Sequence, residues 1–260
     1  MMTEHNPSRG PSGPVTEAKP SQGRSIPGGL LVALEGLDGA GKSTQARSML
    51  EHLRSNGWES VFEHEPTGRR YGRFLRKLVS EGGQRLPVQQ EFELFLCDRY
   101  DNQRETVLPA LARGAIVLLD RYYISSMAYQ GARGLDPHFI KTENERIALR
   151  PDLLIYFQLD PELGKQRRSD RALATNDFEE LEEQKRVRNI FEQLSLEDFP
   201  GLRRIDASQP PEVVFRDFRF VLDQALEDLK LGNLVRDRRW LDFPSAPPAP
   251  WKEPLPEDCP

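Results

Sequence analysis

Within nine residues, Gly36-Leu37-Asp38-Gly39-Ala40-Gly41-Lys42-Ser43-Thr44 brings together three glycines, a lysine and two hydroxyls. Glycines at this spacing let the backbone curl with its N–H groups inward, and a helix starting near Lys42 adds the partial positive charge of its N-terminus. Such a loop receives phosphate. The G-x-x-x-x-G-K-[ST] spacing gives the side chains their tasks: Lys42 reaches the β- and γ-phosphates of a nucleoside triphosphate as a point charge, and the Ser43 hydroxyl ligates Mg²⁺. Asp38 is the odd member, because a carboxylate beside phosphates is repulsive unless it binds a cation or orients a second substrate. The loop alone names neither reaction nor acceptor, since GTPases, ATPases and kinases share it. The chain contains neither the N-K-x-D sequence of guanine recognition nor the L-S-G-G-Q sequence of transporter ATPases.

Moving a phosphoryl group onto another phosphate brings two anions together, so the acceptor side needs fixed cations as well. Arg99 in LFLCDRYDN and Arg121 in LLDRYYISSMAYQG are the candidates. Either guanidinium can fork onto a phosphate. Arg121 directly follows an apolar run, at the carboxyl end where α/β sheets place ligands. Asp120 ends the same run, where a phosphate-loop enzyme keeps a carboxylate that helps hold Mg²⁺ through water. The plainer readings stay open: ordinary surface arginines, and an ion pair for Asp120.

These residues need a frame. Short apolar runs alternate with helical patterns, the signature of βα units around a parallel sheet. The runs are LLVALE (30–35), SVFEHE (60–65), AIVLLD (115–120), DLLIYFQLD (152–160) and LRRIDA (202–207). They predict an α/β fold with a five-stranded parallel sheet between helical layers. Ile116 to Leu119 and Leu153 to Phe157 are nearly continuous in apolar side chains, which predicts strands inside the sheet. Ala46, Met49, Leu50 and Leu53 recur at helical spacing and stop at Asn56-Gly57, predicting a helix over 43–55. Residues 1–29, rich in Pro, Gly and Ser, read as a disordered tail, 30–229 as the folded domain, and 230–260 as an extension that ends proline-rich.

Composition narrows the partners. A formal net charge of -5 argues against broad nucleic-acid binding, which relies on basic surface. No apolar run approaches the roughly 20 residues needed to span a bilayer, so no membrane partner is expected. Two cysteines, Cys97 and Cys259, make no disulfide framework or metal-ligand spacing and fit a reducing, cytoplasmic compartment.

Several motifs in register carry a family resemblance. Glu35 to Gln45, EGLDGAGKSTQ, is similar to the E-G-x-D-G-x-G-K-S-T-Q loop of the thymidylate kinases. Asp120-Arg121-Tyr122, Ser125 and Ala128-Tyr129-Gln130-Gly131 resemble that family's D-R-Y-x-x-S-x-x-A-Y-Q-G stretch. Glu65-Pro66, Phe95 with Asp98-Arg99, Asn144, Pro151-Asp152-Leu153 and Asp206-Ala207-Ser208 fall in the family order. The resemblance covers roughly Leu30 to Leu226. It implies a phosphate-loop nucleotide kinase fold of three layers with a mobile lid, and a homodimer. It also implies transfer of a phosphoryl group from Mg·ATP to thymidine 5′-monophosphate.

On that resemblance Arg99 and Arg121 hold the acceptor's 5′-phosphate, and Phe95 stacks on the thymine ring. Tyr129 sits near the deoxyribose and discourages a 2′-hydroxyl; Ser126 and Gln130 make polar contacts around the nucleoside. Asp38, Glu65 and Arg76 take acceptor-side places. The lid is expected over about 161–180, with Lys165, Arg167, Arg168 and Arg171 as its basic cluster. Some family members carry a transition-state arginine in the loop and others in the lid. Here the loop position is Ala40, so Arg168 and Arg171 are the candidates. A solvated helix face with ion pairs is the alternative for both.

Two segments depart from the family pattern. His64-Glu65-Pro66-Thr67-Gly68-Arg69-Arg70 stands where R-E-P-G-G-T is common, alignable through Gly72 and Arg76. Asp177-Phe178-Glu179 stands where D-R-F-E is common. Kinases of other nucleoside monophosphates or of deoxynucleosides, and a non-catalytic nucleotide-binding module, are the rival functions.

Overall fold

The computed structural model describes residues 23–80, 86–169, 177–234 and 236. Five strands form: β1 (Leu30–Gly36), β2 (Ser60–His64), β3 (Ile116–Asp120), β4 (Leu153–Gln158) and β5 (Leu202–Asp206). All neighbours pair in parallel, in the order β2-β3-β1-β4-β5. Each strand falls on an apolar run read from the sequence, and β3 and β4 lie inside the sheet on either side of β1. Every residue of β1 and β3 is buried, so both faces select apolar side chains and no alternation survives.

Successive side chains point to opposite faces of a strand, and this divides the core. Leu30, Val32 and Leu34 meet Met49 and Leu53 of α1 (Lys42–Ser55) and Phe218 and Leu222 of α9 (Pro211–Lys230). Leu31 and Ala33 face the other layer. That layer is built from α3 (Val88–Asn102), α4 (Leu108–Ala112), α5 (Tyr123–Ala132), α6 (Pro137–Glu145) and α8 (Asp177–Glu192). The result is the three-layer α/β arrangement expected. The remaining helices, α2 (Arg70–Ser80) and α7 (Pro161–Ser169), stand at the carboxyl ends of the strands, where such sheets bind ligands.

The body starts ahead of residue 30. Ile26 is 5% exposed in the α1/α9 core, and the Arg24 N–H donates to the Gly57 carbonyl at 2.7 Å. The Arg24 guanidinium lies 4.1 Å from the Trp58 ring centroid. Residues 23–29 thus belong to the packed body rather than the expected tail: one isoleucine and a bridge to Trp58 anchor a stretch whose composition reads as loop. At the other end, Arg236 donates to the Pro27 and Gly29 carbonyls at 2.8 and 2.9 Å. Residues 1–22, 235 and 237–260 lie outside the described residues, as does 170–176 of the expected lid, Arg171 included.

Candidate active site

The loop between β1 and α1 has the geometry its glycines predict. Gly41 precedes the helix at φ 84°, and α1 carries no side-chain cap and no acidic residue in its first turn. Its leading N–H groups are thereby left for an anion. Gly39 sits at φ 88°, where an added Cβ would lie 2.5 Å from the Gly164 carbonyl oxygen of α7. Only glycine permits that approach. Lys42 Nζ donates to the Gly36 and Leu37 carbonyls at 2.9 and 2.8 Å, and burial together with Arg121 lowers its pKa to about 8. Leu37 and Ala40 are buried beneath the loop, while Thr44 is exposed in the first turn of α1. The Ser43 hydroxyl is hydrogen-bonded to Asp120 Oδ2.

Arg121 reaches the loop from the end of β3. It adopts φ 68°, the single positive φ outside glycine among the described residues. Its guanidinium donates to Asp38 Oδ1 at 2.5 Å, Tyr129 Oη at 3.0 Å and Ser125 Oγ at 3.0 Å. Burial works to raise the Asp38 pKa, but Arg121 and Lys42 prevail and hold it at about 2. Asp38 is therefore ionised at neutral pH. Tyr129 donates its hydroxyl to Asp38 Oδ2 at 3.3 Å, and burial raises the phenol's pKa.

Arg99 is placed differently. It is 1% exposed and turns Nε and Nη2 onto the Glu65 carboxylate at 2.8 and 2.7 Å. Nη1 reaches Asn144 Oδ1 at 2.5 Å and Nη2 reaches Ser126 Oγ at 3.4 Å. Asn102 donates to the other Glu65 oxygen at 3.1 Å. Burial raises the Glu65 pKa, Arg99 opposing it. Arg99 is thus paired with Glu65 in a buried network, as Arg121 is paired with Asp38 at the edge of the phosphate loop.

Between the arginines opens a cleft of about 660 Å³, walled by Leu75, Leu78, Leu86 and Phe95 and edged by Arg76, Tyr129 and Gln130. Phe95 packs beside Leu75 and Leu94 and also lines the cleft. Arg76 donates to the Pro66 carbonyl at 2.6 Å. Gln130 donates to Glu91 Oε1 at 2.7 Å, and Arg133 to Glu91 Oε2 at 2.5 Å. The Gln130 amide oxygen is buried without a hydrogen-bond partner, a spare acceptor beside the cleft.

The helix α7 rests on the phosphate loop. Arg168 donates to the Asp38 carbonyl and to Glu180 of α8, both at 2.8 Å. Arg167 turns to the Ala207 and Ser208 carbonyls after β5. Arg69, in the segment that departs from the family pattern, binds Glu63 and Glu105 at 3.3 and 2.8 Å, away from the cleft.

A model of the family described as Thymidylate kinase matches residues 34–218. A "Thymidylate kinase" of Xanthomonas campestris pv. campestris is 44% identical over 212 residues, 81% of this chain and 91% of the relative. That of Desulfotalea psychrophila is 41% identical over 200 residues, 76% of this chain and 96% of the relative. The chain belongs to the thymidylate kinase family. The matched span contains the loop, the D-R-Y turn and the residues that line the cleft.

Glu35 is a letter of the loop motif whose task the sequence does not reveal. It is a carboxylate at 0% exposure in the central strand, accepting from Tyr122 N–H at 2.8 Å, Ser125 N–H at 3.1 Å and Ser125 Oγ at 2.6 Å. An acidic letter inside LLVALE was the available signal. Asn102, Glu91 and Arg133 were also missed, and nothing in their local sequence marks them.

Proposed function

We propose that the chain transfers the γ-phosphoryl group of ATP to thymidine 5′-monophosphate, giving thymidine diphosphate and ADP. The observation that carries this reading is Arg121, gripped by Asp38 at the junction of a phosphate loop and an apolar cleft large enough for a nucleoside. Lys42 and the N-terminus of α1 would take the donor's phosphates, with Gly36 to Thr44 wrapped around them. Arg121 would take the acceptor phosphate, its fork held in register by Asp38, Ser125 and Tyr129.

Arg99, expected from the sequence on the phosphate, suits another part of the acceptor. Its Nη2 faces Ser126 and it lines the cleft together with Phe95, so it would donate to an oxygen of the base stacked there. Gln130 fits the same edge, Tyr129 the sugar, and Arg76 the rim. Arg168, with Arg171, would bring positive charge over the transferring group, where charge is spread in the transition state. An acceptor phosphate is already a nucleophile, so no general base is needed. Exclusion of water by α7 and the cleft walls should keep ATP hydrolysis without acceptor slow.

For Mg²⁺ the donor set fits: Ser43 and Asp120 offer hard oxygens side by side at the head of α1. Among the described residues no cluster of three His, Cys, Asp or Glu could hold a metal alone, which suits an ion shared with nucleotide phosphates. Bound there, it would neutralise phosphate charge. A homodimer belongs to the reading on family resemblance alone, and a cytoplasmic location on cysteine usage; among the described residues no helix is long and apolar enough to cross a membrane.

Purified protein with Mg·ATP and a panel of acceptors tests the reading. Thymidine monophosphate should be the best acceptor by kcat/KM; phosphorylation of thymidine but not of its monophosphate, or of no nucleotide despite ATP binding, would overturn it.

A further inference from the structure

Arg121 carries the acceptor chemistry proposed above, yet its backbone is in a conformation that L-residues avoid, at φ 68°. Something must hold the turn. The helix that follows, α5, has Tyr122 as its N-cap with no side-chain cap hydrogen bond, so its leading N–H groups need an acceptor from elsewhere. Glu35 supplies it from the neighbouring strand β1. One oxygen, Oε1, accepts from Tyr122 N–H at 2.8 Å and Ser125 N–H at 3.1 Å; the other, Oε2, accepts the Ser125 hydroxyl at 2.6 Å. With its proton committed to Glu35, Ser125 Oγ turns a lone pair outward, and Arg121 Nη1 donates to it at 3.0 Å. The chain of contacts runs from carboxylate to hydroxyl to guanidinium, and it is buried at the Glu35 end, 0% exposed, where alternatives from water are absent.

We propose that Glu35 is the positioning residue for Arg121: it caps α5 across strands, fixes the turn, and through Ser125 sets the guanidinium toward the acceptor phosphate. Glu35 itself does not reach the cleft, whose lining includes Ser125 and Arg121 but not Glu35. The remaining Arg121 contacts, Asp38 and Tyr129, hold Nη2, so the Glu35–Ser125 arm alone governs Nη1. Losing it leaves the charge in place and frees the fork to rotate about the Asp38 contact. The effect should therefore fall on acceptor use and spare donor binding.

This inference rests on the proposed acceptor role of Arg121. The test is a double-mutant cycle in the full-length protein: wild type, Glu35→Gln, Arg121→Ala and the pair, with kcat and KM measured for acceptor and for ATP. Glu35→Gln should lower acceptor kcat/KM by about tenfold or more while KM for ATP shifts by less than about threefold; on the Arg121→Ala background the same change should cost less than about twofold. Multiplicative losses, or an equal loss on the ATP side, overturn the proposal. Should Glu35→Gln fold poorly in a thermal melt, Ser125→Ala replaces it in the cycle, because it removes the relaying hydroxyl and leaves the backbone donors on Glu35. It should cost about threefold or more alone and less than about twofold without Arg121; an undiminished loss overturns the proposal as well. If wild-type protein prefers another nucleoside monophosphate, the functional reading fails while the cycle is read on that acceptor.

Discussion

The buried pair Glu65–Arg99 makes an asymmetric prediction. The two side chains are 2% and 1% exposed, and three hydrogen bonds converge on the carboxylate, from Arg99 Nε, Arg99 Nη2 and Asn102. Glu65→Ala leaves a guanidinium, 1% exposed, that cannot lose its proton. Breaking such a pair costs about 3–5 kcal/mol. Asn144 and Ser126 still accept from Arg99, which places the expected loss near the lower figure, about 3 kcal/mol. For a domain of this size that lowers Tm by about 6–12 °C. Arg99→Met should cost less, about 1–3 kcal/mol, because burial already raises the Glu65 pKa and Arg99 is what opposes it. Without Arg99 the carboxyl can take up a proton. Its native pKa then lies further above the unfolded value of about 4.3, so the folded state holds the proton more tightly. Stability of Arg99→Met therefore falls as pH rises from about 4.3 toward the native pKa, and recovers on acidification. Glu65→Ala has no such recovery from this site. The double variant should be more stable than Glu65→Ala alone, since no uncompensated charge remains. Urea unfolding followed by circular dichroism at pH 5.5 and pH 8 reads all four proteins. A Glu65→Ala cost below about 1 kcal/mol, or a purely additive cycle, would refute the claim of a tightly coupled buried pair.

Arg121→Lys keeps the charge but cannot span Asp38, Ser125 and Tyr129 together, so acceptor kcat/KM should fall by about 100-fold with KM for ATP nearly unchanged in steady-state assays. Gly164→Ala would set a methyl 2.8 Å from the Asp38 carbonyl oxygen and push α7 off the phosphate loop; kcat should drop by about tenfold or more, with calorimetry reporting ATP affinity. Arg168→Ala should likewise lower kcat by about tenfold or more with little change in acceptor KM, and a smaller change would remove α7 from the chemistry. Burial pushes the Glu35 pKa up to about 7, against its bond from Ser125; below that pH a proton on Oε2, the oxygen without backbone donors, stops it accepting the Ser125 hydroxyl, so acceptor kcat/KM should fall on the acid side and Glu35→Gln should flatten that limb. The same shift means that Glu35 ionisation subtracts from stability as pH rises from about 4.3 to 7, because the native state binds the proton more tightly.

Sequence alone determined the strands, the helix after the phosphate loop and the family. The runs of β1, β3 and β4 are legible because burial on both faces removes polar alternation, whereas the edge strands β2 and β5 are partly exposed and keep polar residues. The phosphate loop was legible because its chemistry lies in contiguous backbone N–H groups and a lysine at fixed spacing. Tertiary structure decided the partners. Arg99 and Arg121 read alike as arginines in D-R-Y contexts, yet one pairs with Glu65, 34 residues away, in a buried network, and the other with Asp38, 83 residues away, at the phosphate loop. Ile26, lodged in the core from a stretch that composition assigns to a tail, shows the same limit. Glu35 is the sharpest case. Its letter was visible in LLVALE, but its task depends on the N-terminus of α5 lying beside β1, and only the packing of the β3–α5 turn against the central strand brings those groups within hydrogen-bond reach.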